Sequence, residues 1–325
     1  MMNKYFYHGF AAILLILVVS RSASSRSREL SRDQEIRPPA VAGTFYPDSA
    51  PRLKRMITRL LDSVPVITPA GRILAAIAPH AGYVFSGSVA ACTHKMLATV
   101  RFDTVVIIGH DCYRDAVAFT CPVDYFETPL GKVPVDREMM EKMQKFNPGI
   151  MPDRYLHAHE HTIEVQLPFL QVLGRRCKIV PLLFGNPTVK NCRILADAIR
   201  ASAGSKTVFV LASTDMSHYP DYQSACRVDQ STLDVMKEMD INRLFSHLSE
   251  METQRSIPNL RTAMCARGGV GTAMLVARAG GADRLQVLRY ANSGDIPSGN
   301  RYRVVGYCAV LMVKTTGTGP KKALP

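Results

Sequence analysis

The chain has 325 residues, 47% hydrophobic and 21% charged, which is ordinary for a globular protein and enough to bury a full-size core. Its net charge is +13, but nearly half of that surplus lies in the first 37 residues and beyond Val313. The body has no basic helix or Lys/Arg run interleaved with aromatics, so nucleic-acid binding is not expected, and the charge serves solubility or weak attraction to anionic surfaces. The eight cysteines include no C-x-x-C pair, which excludes a zinc ribbon and a thioredoxin-type motif.

At the amino end Lys4 precedes an apolar run over residues 10–19, too short to span a bilayer comfortably and suited to a signal-peptide core. Ser20 and Ser22, or Ser22 and Ser24, offer cleavage points; export to the periplasm or outside the cell is the expectation, with an uncleaved anchor as the alternative. No cysteine follows the run, so lipid attachment there is not expected. Residues 21–36, rich in Ser and Arg, read as a disordered spacer. One domain is expected over residues 37–313, because no linker divides them.

Over residues 52–61 the positions Leu53, Met56, Ile57, Leu60 and Leu61 keep helical spacing, with Asp48 or Ser49 as cap and Pro51 in the first turn. Apolar runs of strand length follow at 73–78, 104–109, 179–184 and 207–212, with helix-like stretches between them. This alternation predicts an α/β fold with a largely parallel central sheet flanked by helices. Runs at 285–290 and 304–313 complete the sheet, the second buried on both faces. Cys92 and Cys308 read as small core hydrophobes. In an exported protein some cysteines could pair, with the connectivity open. After Lys314 a disordered tail is expected.

Chemistry collects behind the strands. His80 and Tyr83 follow the first, His110 and Cys112 the second, Asp215 and His218 the fourth. In open α/β sheets the carboxyl ends of the strands form the ligand-binding edge, and His, Asp and Cys gathered there suit iron, copper or zinc. The tract His157-Ala158-His159-Glu160-His161 matches the H-x-x-E-H pattern of inverted zinc peptidases. It precedes the helical run marked by Ile163, Leu167, Leu170 and Val172 and does not lie within it. His161 and Glu164 are then expected on one helical face, with His157 and His159 as solvated loop residues. Cys265 stands before Gly268, Gly269 and a helix-like run at 270–279; a helix N-terminus there, with Arg267, would favour a thiolate. Such a thiolate is a metal ligand or a nucleophile, against the alternative of an inert buried thiol.

Several segments together carry a resemblance: Ala42-Gly43-Thr44-Phe45-Tyr46-Pro47, Ala78-Pro79-His80-Ala81-Gly82-Tyr83, Glu127-Thr128-Pro129-Leu130-Gly131, Glu160-His161-Thr162-Ile163-Glu164-Val165-Gln166-Leu167-Pro168, Ser213-Thr214-Asp215-Met216-Ser217-His218 and Val304-Val305-Gly306-Tyr307. In this order, from about residue 37 to 313, they resemble the Memo family, whose bacterial members are called AmmeMemoRadiSam system protein B. The resemblance implies a fold similar to class III extradiol dioxygenases and a cleft metal, iron or copper before zinc, bound by two histidines and one cysteine. Those ligands correspond to His80, Cys265 and a second histidine. Where the family reads Gly-Pro-Ser/Asn-His, this chain reads Gly109-His110-Asp111-Cys112-Tyr113, so His110 is preferred, with Cys112 standing ungapped at the ligand position. Near Cys265 the pattern also departs, with Ala266 for the usual Gly.

Asp215 and His218 match the family's catalytic or second-layer pair, His161 and Glu164 its helix-borne pair. In an oxidoreductase of unknown substrate, His218 or His161 would transfer protons and Asp215 would fix a histidine tautomer. Tyr46 and Tyr83 would bond a ligand or simply pack. The alternatives are a non-catalytic module that holds metal, a small molecule or a peptide in the cleft, and a zinc-dependent hydrolase. The family's association with a radical-SAM enzyme and a companion protein implies a shared pathway.

Overall fold

The computed structural model describes residues 34–253 and 257–315. The signal or anchor segment, most of the spacer and the tail beyond residue 315 lie outside them. Among the described residues no helix is long and apolar enough to cross a membrane. Thr315, the last described residue, donates from its amide and its hydroxyl to Asp283.

The first half of the chain runs β1 (Ile36–Arg37), α1 (Ala50–Ser63), β2 (Arg72–Ala78), α2 (Tyr83–Leu97), β3 (Thr104–Asp111), β4 (Ala118–Thr120), β5 (Tyr125–Thr128), β6 (Gly131–Pro134), α3 (Arg137–Phe146) and β7 (Ile150–Pro152). The second runs α4 (Arg154–Ala158), a 3-10 turn (Glu164–Gln166), α5 (Leu167–Val172), β8 (Lys178–Phe184), α6 (Val189–Ser202), β9 (Val208–Ser213), α7 (Tyr222–Lys237), α8 (Ile241–Thr253), α9 (Arg267–Ala279), β10 (Arg284–Asn292) and β11 (Gly306–Lys314). The six apolar runs read from the sequence are β2, β3, β8, β9, β10 and β11. Leu53, Ile57 and Leu61 form the buried stripe of α1, with Pro51 in its first turn and Ser49 as the residue before it, though no side-chain cap bond forms.

These strands build an eight-stranded sheet in the order β10-β11-β2-β9-β3-β8-β4-β7. Its centre, β2-β9-β3-β8, is parallel. The flanks are mixed: β10–β11, β11–β2 and β4–β8 are antiparallel. β10 and β11 follow each other in the chain and lie side by side, paired antiparallel from Arg284 opposite Val313 to Asn292 opposite Gly306. β11 is buried along its length except at Lys314. In its first half the side chains alternate between two cores, Tyr307 and Ala309 in one and Cys308 in the other, while Val310 to Val313 all join the core of Cys308. α9 packs on β2, β3 and β9, while α2 packs on β2, β10 and β11 beside α1.

A small three-stranded sheet, β1-β5-β6, carries the entry of the chain. It is held by a buried ion pair: Arg37 bonds Glu164 and the Glu160 carbonyl, and its Nε donates to the His157 carbonyl at 3.0 Å. Glu164 also accepts from Ala40 N at 2.7 Å, Val41 N at 3.1 Å and the Tyr46 hydroxyl. This carboxylate therefore sits under the residue 40–47 strap, on the far side of the 3-10 turn from His161. His157, expected in a solvated loop, is fully buried on α4, its Nε2 3.0 Å from the Phe119 carbonyl. Glu160 accepts from Thr162 Oγ1 at 2.8 Å and Ile163 N at 3.1 Å. The H-x-x-E-H tract thus sends its side chains to different places and forms no zinc-binding helical face.

Candidate functional site

Parallel strands deliver their carboxyl ends to one edge, and the loops leaving that edge converge. His80 follows β2, His110 is the last residue but one of β3, and Asp215 and His218 follow β9. His161 comes from the segment before the 3-10 turn and Cys265 from just ahead of α9. All six line one cavity of about 780 Å³. Glu164 and Cys112 are not among its lining residues. The Cys112 amide donates to the Phe184 carbonyl at 2.8 Å, and it is the neighbouring His110 that reaches the cavity.

The closest functional pair is His80 Nε2 and Cys265 Sγ, 3.2 Å apart. Asp215 braces both: its Oδ1 accepts from the His80 amide at 2.8 Å and its own amide donates to Cys265 Sγ at 3.3 Å. Its Oδ2 stands 3.8 Å from His80 Nε2. The tautomer of His80 is set elsewhere. Ser213 Oγ donates its single proton to the Thr162 carbonyl at 2.6 Å and accepts from Gln166 Nε2 at 2.8 Å. It can therefore only accept from His80 Nδ1, 3.3 Å away. The proton belongs on Nδ1, which leaves the Nε2 lone pair facing the thiol. Ser213, not Asp215, selects this tautomer.

Burial keeps the imidazoles neutral. It pushes His80 down to about 3, with help from His218 and His110. It pushes His161 down to about 3 as well, helped by His80 and His110. His110 and His218 are lowered for the same reason. Burial raises Asp215 to about 6 despite the opposing pull of His218 and the amides of His80 and Ala81. It also raises Cys265, reinforced by the Asp215 carboxylate, so the thiolate expected from a helix N-terminus is not favoured. Cys265 precedes the cap residue Ala266, and the Gly268 amide of the first turn is spent on Asp111, at 3.1 and 3.3 Å. Arg267 bonds Glu252 and contributes nothing to the thiol.

Of the cavity's histidines, His110 Nδ1 and His218 Nε2 are buried without a hydrogen-bond partner. Even so, no three His, Cys, Asp or Glu side chains among the described residues close around a single point as a metal-holding group. His80 and Cys265 are drawn together; His110 stands apart on the cavity wall.

A family model described as Memo-like protein matches residues 37–311. The chain belongs to the Memo family. A MEMO1 family protein of Ignicoccus hospitalis is 37% identical over 289 residues, covering 85% of this chain and 98% of the relative. Another, of Archaeoglobus fulgidus, is 34% identical over 281 residues, covering 85% and 99%. Among solved structures, the uncharacterized protein JW3007 from Escherichia coli K12 superposes with a TM-score of 0.48 at 10% identity, covering 74% of this chain and all of that one.

Within this Memo chain several positioning residues lay inside the quoted segments without being singled out. Ser213 and Gln166 orient His80, and Gln166 is itself held by His94 Nε2 at 2.8 Å. Phe45 packs on His161 with ring centroids 4.7 Å apart. A hydroxyl after a strand and an amide on a helical turn carry no sequence signal of their own, and their role appears only when the strands are side by side. Tyr46 and Tyr83, in contrast, are spent on the frame, bonding Glu164 and the Val165 carbonyl.

The loop bearing Asp215 and His218 is clasped from behind. Gly306 accepts from Met216 N at 2.8 Å and donates to Ser217 O at 2.9 Å. Buried Asp229 accepts from Ser217 N at 2.9 Å and from the Tyr290 hydroxyl at 2.8 Å. A Cβ on Gly306 would fall 1.9 Å from Asp229 Oδ2 and 3.0 Å from Met216 Cβ. Gly306→Ala is therefore expected to destabilise the fold by about 1–3 kcal/mol, the usual cost of overpacking, as read from urea unfolding. An unchanged midpoint would show that the clasp yields freely.

Proposed function

We propose that this protein binds iron or copper in the cleft through His80 Nε2 and Cys265 Sγ, with His110 as third ligand, and acts as an oxidoreductase on an organic molecule held in the cavity. The reading rests on the His80–Cys265 pair. Donors at about 2.0 Å (nitrogen) and 2.3 Å (sulfur) from a common ion stand roughly 3–4 Å from each other, and these are 3.2 Å apart. Nε2 offers a lone pair, and the neutral imidazole is the form that binds metal. His110 lines the same cavity with its Nδ1 buried and without a hydrogen-bond partner, which supports it as the third ligand.

Thiol and imidazole donors suit iron and copper, which when bound would supply one-electron chemistry and open coordination positions. Around them the chain's own groups have separable tasks. Ser213 and Gln166 hold the His80 ring, and Asp215 holds its backbone. His218, whose lowering by burial is opposed by Asp215, can accept a proton from a bound substrate, while His161, pushed down to about 3, offers it a hydrogen bond. The Cys265 proton leaves on metal uptake, so affinity should rise with pH.

Metal content should be measured in wild-type protein, His80→Ala and Cys265→Ser, purified without adding or stripping metal. Wild type is expected to carry near-stoichiometric iron or copper, and both variants roughly tenfold less or lower, with circular dichroism unchanged. Wild type free of metal would sink the proposal. Zinc alone would replace it with a hydrolase, and metal held without turnover in a substrate screen would favour a sequestering module.

A further inference from the structure

The charges lining the cavity are unequal. At its floor the imidazoles are neutral and Asp215 is the lone carboxylate among the described lining residues. At its rim Arg303 is the only permanently charged cation among those residues. Beside it the wall presents Ser293, Ser298 and Asn300, uncharged hydrogen-bonding groups, while Phe45, Phe85 and Tyr307 supply aromatic surface.

An exposed arginine is ordinarily a solvated charge, but Arg303 is held. Its guanidinium carbon lies 4.7 Å from the ring centroid of Tyr219, which leaves the hydrogen-bonding edge free. No acidic side chain among the described residues pairs with it. Tyr219 sits at φ 75°, a left-handed backbone conformation that bulky residues rarely adopt and that collects at binding sites. A planar guanidinium with one face stacked matches a carboxylate, which it can grip through two parallel hydrogen bonds. One cation balances one negative charge; a phosphate dianion would keep an unpaired charge in a cavity that already contains Asp215.

We infer that the cleft takes an organic monocarboxylate, its acid group on Arg303 and its apolar body against Phe45, Phe85 and Tyr307. This deepens the preceding reading by naming the class of molecule for the same cleft, yet the binding step itself does not need the metal.

The test compares 2-naphthoate with its uncharged isostere 2-naphthamide, titrated into wild type, Arg303→Lys and Arg303→Ala. The chain contains no Trp, so naphthalene fluorescence is read without an indole background. Saturable naphthoate binding, roughly tenfold or more tighter than the amide, is expected in wild type. In Arg303→Ala the acid should weaken to the level of the amide, which loses less because it carries no charge to pair, and Arg303→Lys should fall between. No saturable naphthoate binding, equal affinities in wild type, or an advantage of the acid that survives Arg303→Ala would overturn the inference. So would 2-naphthyl phosphate binding more tightly than 2-naphthoate. Metal content is measured on the same samples. Metal-free protein that still discriminates acid from amide sinks only the metal proposal; metal-loaded protein that does not discriminate sinks only the carboxylate.

Discussion

Replacing Glu164 with Gln is expected to cost about 3–5 kcal/mol of folding stability, the usual penalty for removing one partner of a buried ion pair. Arg37 and Glu164 are 2% and 0% exposed, and nothing else in contact with the guanidinium carries a full negative charge so close. The neutral amide would strand Arg37 in the interior and weaken the bonds from Ala40, Val41 and Tyr46 that tie down the entry strap. That strap delivers Phe45 to the cavity wall. The variant's urea midpoint should fall, with an unchanged slope, while metal content per folded molecule stays at the wild-type level. A loss below about 1 kcal/mol, the range of an exposed pair, would show that Glu164 does not hold the frame.

Metal-stripped protein is expected to lose stability steeply as pH falls from 6.5 to 4.5. Burial pushes His94 and His157 down to about 4 and His80 and His161 to about 3. Across this window the unfolded chain takes up protons that the folded protein refuses, so acid favours unfolding. Buried carboxylates act in the opposite sense: Asp215 and Asp229 are raised to about 6 and Asp111 to about 8, so the folded form keeps protons that the unfolded chain releases above about pH 4. The histidines outnumber them, because His110, His218 and half-buried His247 are lowered too.

A net difference of one or two protons corresponds to roughly 1.4–3 kcal/mol per pH unit. Above about pH 7.5 the unfolded histidines no longer hold protons and their contribution is complete, while Asp111 alone continues, lowering stability gently toward pH 8. The maximum should therefore lie at about pH 7, and urea unfolding at five pH values from 4.5 to 8 checks it. A flat profile between pH 4.5 and 6.5 would mean that the histidines are accessible to protons in the folded state.

Much of the architecture was legible because burial leaves a periodic mark. The apolar runs at 73–78, 104–109, 179–184 and 207–212 fall on β2, β3, β8 and β9, strands covered on both faces, and such strands need continuous hydrophobicity that few other elements show. The placement of His80 and Asp215 was legible for a different reason, since polar residues directly after buried parallel strands must emerge at the same edge, whereas Cys265 was marked by the helix that follows it. Strand direction at the flanks was not legible, because β10, β11 and β4 look alike in sequence whichever way they run.

What the sequence alone determined was the family, the α/β class and the list of groups available at the cleft. Tertiary structure decided which of those groups meet. Glu164, three residues from His161, turns under the entry strap because Arg37 is there to neutralise it. The backbone path after β3 brings His110 and not Cys112 to the cavity. The amide that could have stabilised a Cys265 thiolate is taken by Asp111, a partner 157 residues away in the chain. Each outcome depends on desolvation, and whether a charge is excluded from water is set by what packs over it from distant parts of the chain.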